Sequence, residues 1–532
     1  MNDSLKKKTI ITGKYSRRRL FYTFCFLMFC IIDQRTKTGS GRDGIIETFR
    51  EATGIVLACI IFSHYKWADF VKYKWVYTIW GVVSVIGSAV VFFRGMSSNP
   101  FLNDRIAILA NVVIWGPILI HTFIQVVLEK QYPKLNKRML IVWTIMMVLM
   151  MVSRSHYIWP FCYMVMFGCF YFTGFTQEEQ SDLWQGCLDG IILSFLLFQG
   201  FCCMFRPYDV VRYQGIHNNC NLNAVYYMAV LVAAFTKILY VTRCHAAKWV
   251  KVIYWLLAGV VLSFLFMTIG RIAWITAFVL GLVFLGLLNL VLQKKRFIKN
   301  GMVLVLCAVL MFPIAFGATR YLPPVFHHPI WFWGEWSEDK VHSWDAWNSE
   351  KYIDLDEFLE VALGRVADSV YNLLEHSPFA IKADAAELLP EEGDPRVEAA
   401  ILRPEQSQDD FLIRATIYQH YFKHLNWRGH PYEEQGFQLF WYYWIGHAHN
   451  IFLQYGTDFG IPVMILFATL VVWGIVVCWK RSKKQACTED MAALFYILIP
   501  VVFGLFEYSW GVGSLSITML FIAWGRAMQK ET

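Results

Sequence analysis

The sequence predicts an all-α polytopic membrane protein of about twelve to fourteen transmembrane helices with one large external helical loop. Three observations predict it. Hydrophobic residues make up 57% of the 532 residues and mean hydropathy is +0.42. Charged residues are only 17%, against about 25% in soluble chains. Apolar runs near the ~20 residues that cross a bilayer recur through most of the chain. Disordered, collagenous and disulfide-framework proteins are excluded.

The elements follow in order. Residues 1–19 are a basic N-terminus with Lys6, Lys7, Lys8, Arg17, Arg18 and Arg19. The apolar run Leu20–Ile32 comes next, and Ile32-Asp33-Gln34-Arg35 lacks the small-x-small cleavage pattern. It reads as an uncleaved first span. Candidate spans lie at 18–34, 45–64, 76–94, 106–128, 139–153, 157–174, 185–205, 222–241, 250–269, 272–292 and 301–319, then at 460–479, 490–508 and 512–526. The first, fifth and last are short. Residues 20–319 thus form one bundle, 448–526 the closing helices and 527–532 a tail.

Lys and Arg fall in short clusters between spans, so the net charge of +8 is no nucleic-acid signal. With the N-terminus inside, the alternate loops carry Lys66, Lys72 and Lys74, then Lys130, Lys134, Lys137 and Arg138, then Arg243, Lys248 and Lys251, then Lys294, Lys295, Arg296 and Lys299, and finally Lys480, Arg481, Lys483 and Lys484. That bias predicts cytoplasmic termini. It places residues 320–447 outside, where 22 of the 40 acidic residues lie. The loop contains no cysteine, so no disulfides staple it. Asp354-Leu-Asp-Glu357 opens one helix as a cap, and a second is expected over Asp410–Leu425. The aromatic stretch with Trp331, Trp336, Trp344 and Trp347 reads as an interfacial belt. Glu391-Glu-Gly-Asp394 reads as a solvated turn.

The most informative segment is His447-Ala-His449-Asn450, followed by Gly460-Ile-Pro462-Val463. An apolar helix rarely opens on His and Asn side by side unless they face water or a ligand. His449 and Gly460 are eleven residues apart, about three turns of a continuous helix. Alternatively Gly460 ends a short re-entrant helix and Pro462 starts the next. Three further segments stand out. They are Thr268-Ile-Gly-Arg271-Ile-Ala-Trp274, Phe411-Leu-Ile-Arg414-Ala-Thr-Ile-Tyr418 and His217-Asn-Asn-Cys-Asn221-Leu-Asn223-Ala224.

With these segments the chain resembles the O-antigen ligase / Wzy polymerase superfamily, including the related O-oligosaccharyltransferases. The order of features matches from about residue 20 to 526: many spans, one external loop, the His-Asn…Gly motif, a few more spans. The resemblance implies a GT-C-like helical bundle in a bacterial cytoplasmic (inner) membrane. It implies transfer of a glycan from an undecaprenyl-diphosphate carrier to a glycan, lipid or protein acceptor hydroxyl at the outer face. A diphosphate leaving group suits arginine forks, which assigns Arg271 and Arg414 as catalytic cations. An imidazole can assist removal of the acceptor proton, which assigns His449 as base. Asn450, His217, Arg206, Arg212 and Tyr418 are expected to bind substrate, with His447 secondary.

Each has a plainer alternative. Arg271 could anchor at the interface, Arg414 could pair with Asp410 one turn back, and His449 could be a packed histidine. No metal is expected: no carboxylate cluster accompanies His447 and His449, and Asp33, Asp43 and Glu47 in the first outer loop form no paired motif. No cofactor and no nucleic acid are expected either, since P-loop, GxSxG and Rossmann fingerprints are missing. The same motifs fit a ligase or a polymerase. A flippase of lipid-linked glycans would predict charges deep in several spans and paired broken helices.

Overall fold

The computed structural model describes residues 16–38, 54, 56–95, 113, 115–155, 158–206, 208, 211–217, 219–326, 330, 353–375, 410–431, 436–439, 443–507 and 514–530. The chain is an all-α polytopic membrane protein. Among the described residues, six helices are long and apolar enough to cross a bilayer.

The bundle opens with α1 (Arg17–Thr38), α2 (Trp67–Lys72), α3 (Lys74–Gly95), α4 (Lys137–Met151) and α5 (Ile158–Phe172). The long spans follow as α6 (Gln177–Phe205), α7 (Cys220–Arg243), α8 (Lys248–Met267), α9 (Arg271–Leu292) and α10 (Phe297–Phe326). The segment between the long spans and the closing helices contributes α11 (Leu355–Glu375), α12 (Asp410–Lys423) and a hairpin of β1 (Phe437–Leu439) and β2 (Tyr443–Ile445). The chain closes with α13 (Ile451–Phe459), α14 (Ile461–Gln485), α15 (Thr488–Val502) and α16 (Leu515–Met528).

Each expected span that lies within the described residues is helical. The segments expected at 139–153, 490–508 and 512–526 form helices of only 15, 15 and 14 residues. α15 is the instructive case: Pro500 falls in its last turn and the helix ends at Val502, five residues before Glu507. Asp354 caps α11, its Oδ1 accepting from the Glu357 amide at 2.8 Å. The capping role expected for Asp354-Leu-Asp356 therefore holds. The hairpin, paired antiparallel with Phe437 opposite Ile445, was not expected. The Trp331–Trp347 stretch, Glu391–Asp394, Asp43 and Glu47 lie outside the described residues.

α7 is the axis of the bundle. Over its apolar window 94% of residues are buried, and α6, α8, α9 and α15 pack around it. α1 lies along α6 because Gly186 and Gly190 let the backbones touch. A Cβ on Gly186 would meet Tyr22 Cβ at 2.6 Å, and one on Gly190 the Thr23 carbonyl oxygen at 2.7 Å. Small residues one turn apart allow this close approach in membrane bundles. The same seam is fixed by charge: Asp189 on α6 lies 2.5 Å from Arg19 Nη2 and 2.6 Å from the buried Lys237 Nζ on α7.

Candidate functional site

The site is assembled where α13 begins and α15 has ended. Asn450 is the N-cap of α13. Its backbone is extended, and its Oδ1 accepts from the amides of Phe452 (2.9 Å) and Leu453 (3.0 Å). An Asn in this position satisfies amides that the first helical turn leaves open. Its Nδ2 donates to the Leu505 carbonyl at 2.9 Å, tying the cap to the chain beyond α15. The side-chain amide of Asn450 thus holds the protein together at both its ends.

His449 sits just before that cap with φ +47°, a left-handed conformation uncommon for a residue with a side chain. The conformation sets the ring against Glu507: Nδ1 lies 2.7 Å from Oε1. Glu507 is itself almost fully enclosed, with a side chain 7% exposed against 27% for His449. A carboxylate on Nδ1 favours the tautomer carrying its proton there, leaving Nε2 as acceptor.

Glu507 gathers more than the histidine. Its Oε2 lies 3.3 Å from Arg414 Nη2 on α12 and accepts from Asn221 Nδ2 on α7 at 3.0 Å. Arg414 also donates through Nη1 to the Phe506 carbonyl. Asn221 is held in turn by Arg212, whose Nη2 donates to its Oδ1 at 2.9 Å. Arg212 Nε donates to the Thr268 carbonyl at 3.2 Å. Thr268 begins the turn, with Ile269 at φ +48°, from which Gly270 and Arg271 open α9. One turn after Arg414, the Tyr418 hydroxyl lies 3.1 Å from the carbonyls of both His449 and Leu505.

Three of the four segments therefore meet on the Glu507 carboxylate, and the fourth, at Thr268, is joined to them through Arg212 and Asn221. Burial pushes the Glu507 carboxyl upward, but the hydrogen bond with His449 and the charge of Arg414 outweigh it. The group is held below its ordinary value. A lone acid closing an apolar run is a signal the sequence does carry. The apolar run 490–508, long enough for one span, masks it.

The other expected residues divide. Arg414, Arg212, Tyr418 and Asn450 stand at the cluster, and Arg271 opens the helix beside it. Arg414 pairs with Glu507 across 93 residues, well beyond its own helix. Arg206 is buried and donates to the carbonyls of Gly215 (3.1 Å) and Ile330 (3.2 Å). His217 is 2% exposed, with Nδ1 2.9 Å from Asn223 Oδ1. These two brace the loop between α6 and α7, where they have neighbours but little access. The His447 ring lies 4.2 Å from that of His449, and burial, helped by His449, draws its pKa down to about 4.

Gly460 ends α13 at φ +99°. A Cβ there would stand 2.4 Å from the Trp427 carbonyl oxygen, so only glycine fits. Of the two geometries the sequence allowed, the short helix is the one adopted. α14 begins at Ile461, with Pro462 in its first turn at the second position.

The cluster can hold an anion beside a base. Arg414 stands on the carboxylate, Arg212 is linked to it through Asn221, and His449 offers a nitrogen for proton exchange. Among the described residues no three His, Cys, Asp or Glu side chains gather as a metal site. No protein-family model, no curated protein and no solved structure matches the chain.

Proposed function

We propose that the chain is a membrane glycosyltransferase of the O-antigen ligase-like, GT-C type. In this reading it transfers a glycan from an undecaprenyl-diphosphate carrier to an acceptor hydroxyl at the outer face of a bacterial cytoplasmic membrane. The observation that carries the reading is the placement of His449 and Arg414 on the two oxygens of Glu507. A base and a fork-shaped cation within one side chain of each other suit a reaction that removes a proton and releases a diphosphate. The acceptor oxygen attacks the anomeric carbon as His449 Nε2 takes its proton. The bond from that carbon to the diphosphate oxygen breaks, its electron pair leaves with the diphosphate, and the arginines Arg414 and Arg271 balance the charge. Attack opposite the leaving group inverts the anomeric centre.

A purified His449→Ala enzyme should lose transfer while still binding the carrier. Retention of near wild-type turnover would remove the base from the scheme. A Wzy-type polymerase would use the same groups on a lipid-linked acceptor. Glycan mass analysis after gene deletion separates the two: short carrier-linked glycans indicate a polymerase, full-length unattached glycans a ligase. The flippase alternative gains one observation, the Lys237–Asp189 pair inside the bundle. That pair is joined by Arg19, the third residue of α1, which sets it near a helix end as a tie between three helices.

A further inference from the structure

A second polar cavity lies at the other end of the bundle. α14 runs 25 residues from Ile461 to Gln485, about 37 Å at 1.5 Å per residue, more than a ~30 Å hydrocarbon core. α15 starts beside the cavity, and its far end leads within five residues to Glu507. The two sites thus lie toward opposite ends of α15.

The cavity has a volume of about 720 Å³ and is lined by Lys134, Lys530, Arg481 and Arg526, by six glutamines and, among the described residues, by no carboxylate. It is a built site. Arg526 is fixed by two bonds to the wholly buried Asp490, Nε to Oδ1 at 2.8 Å and Nη2 to Oδ2 at 3.0 Å. Its Nη1 donates to Gln180 at 2.8 Å. Arg481 donates to the carbonyls of Arg526 (2.9 Å) and Gln529. The rim is joined by backbone: Leu135 bridges Gln529, and the Lys530 amide donates to the Lys134 carbonyl at 2.8 Å. That pairing sets Lys134 and Lys530 side by side, and both are exposed.

The charges do not cancel. Asp490 is shared by the two arginines, 2.8 Å from Arg526 Nε and 3.8 Å from Arg481 Nη1, and Glu179 behind the wall is taken by His64 at 3.0 Å and Arg18 at 3.2 Å. Lys134 and Lys530 therefore face the space in addition to the two acid-paired arginines, with amide donors between them. Such a lining suits oxygens that carry charge and accept several hydrogen bonds.

We propose that this cavity binds a phosphate-bearing anion, supplied either by an anionic phospholipid headgroup or by a soluble phosphate. The inference is independent of the glycosyltransferase reading. A ligand that binds only the folded state raises its melting temperature.

The test uses the purified full chain in detergent, melted alone and with dioleoylphosphatidylglycerol, dioleoylphosphatidylcholine or sodium pyrophosphate. A parallel series uses the double variant Lys134→Gln/Lys530→Gln, whose side chains are exposed and whose loss leaves the Arg526–Asp490 pair in place. Wild type should gain about 3 °C or more with phosphatidylglycerol, with pyrophosphate or with both, and the double variant less than half of that. Phosphatidylglycerol alone identifies the source as lipid, pyrophosphate alone as a soluble anion, and both together as the phosphate group itself. No shift with either, an equal shift with phosphatidylcholine, or an undiminished shift in the double variant overturns the proposal.

Discussion

His449 Nδ1 and Glu507 Oε1 lie 2.7 Å apart across 58 residues of chain. The contact favours the tautomer with its proton on Nδ1, and under the proposed function Glu507 acts through His449 as a positioning residue. Replacing it by Gln keeps the shape but presents an amide where a carboxylate stood. Under the proposed function, Glu507→Gln should lower kcat by about 10- to 100-fold, the usual effect of losing a partner that orients a histidine. KM for the carrier should change little. A variant with unaltered kcat and a raised KM would instead make Glu507 a brace for Arg414.

The helices and their order were legible because a bilayer demands long apolar runs, and 57% hydrophobic content leaves few other places for them. The segments holding His449, Arg414, Asn221 and Arg271 were legible too, through polar residues at helix openings. Their meeting point was not. Glu507 closes an apolar run long enough to be a span, and only the early end of α15 at Val502 takes it out of a helix. The same limit explains Arg206 and His217. Sequence shows that they are polar and lie between spans, but not that backbone carbonyls and Asn223 occupy them.

Gly460 supports a prediction that needs no assumption about activity. Its φ of +99° and the 2.4 Å approach of a Cβ to the Trp427 oxygen combine two penalties, strained backbone and a clash with main chain. Gly460→Ala should destabilise the fold by about 1–3 kcal/mol, read as a lowered melting temperature in detergent. Alanine at Gly281, where a Cβ meets nothing within 4 Å, is the control and should melt like wild type. Equal melting of the two variants would show that the turn between α13 and α14 can relax.

His447 predicts a pH dependence of stability. Burial, with His449 beside it, lowers its pKa to about 4, while an unfolded chain carries a histidine near 6.5. As pH falls from about 6.5 to about 4, the unfolded state takes up a proton here that the folded state refuses. The folded state therefore loses stability across that window, and His447 contributes no further slope below it. His447→Gln should flatten the decline in melting temperature between those pH values while changing little at pH 8. A decline of unchanged steepness would show that His447 has reached water or a partner able to hold its proton.

The last prediction concerns how charge on the leaving group is balanced. If a diphosphate departs, two positive charges must meet it, and either arginines or a divalent cation can supply them. Arg414 stands on Glu507, and Arg271 opens α9 beside the Thr268 turn that Arg212 grips, so the arginines have the right neighbourhood. Lysine would keep the charge but not the fork, so Arg414→Lys and Arg271→Lys should each lose most transfer activity. Activity in detergent should survive EDTA and gain nothing from magnesium or manganese. The competing scheme holds a cation on the acids of the first outer loop. Asp33, the one described among them, is 6% exposed in α1 and provides its test. Loss of transfer with chelator, rescue by metal and the same loss in Asp33→Asn would replace the arginine scheme with a metal one. Survival in EDTA with inactive lysine variants would leave the arginines as the groups that meet the diphosphate.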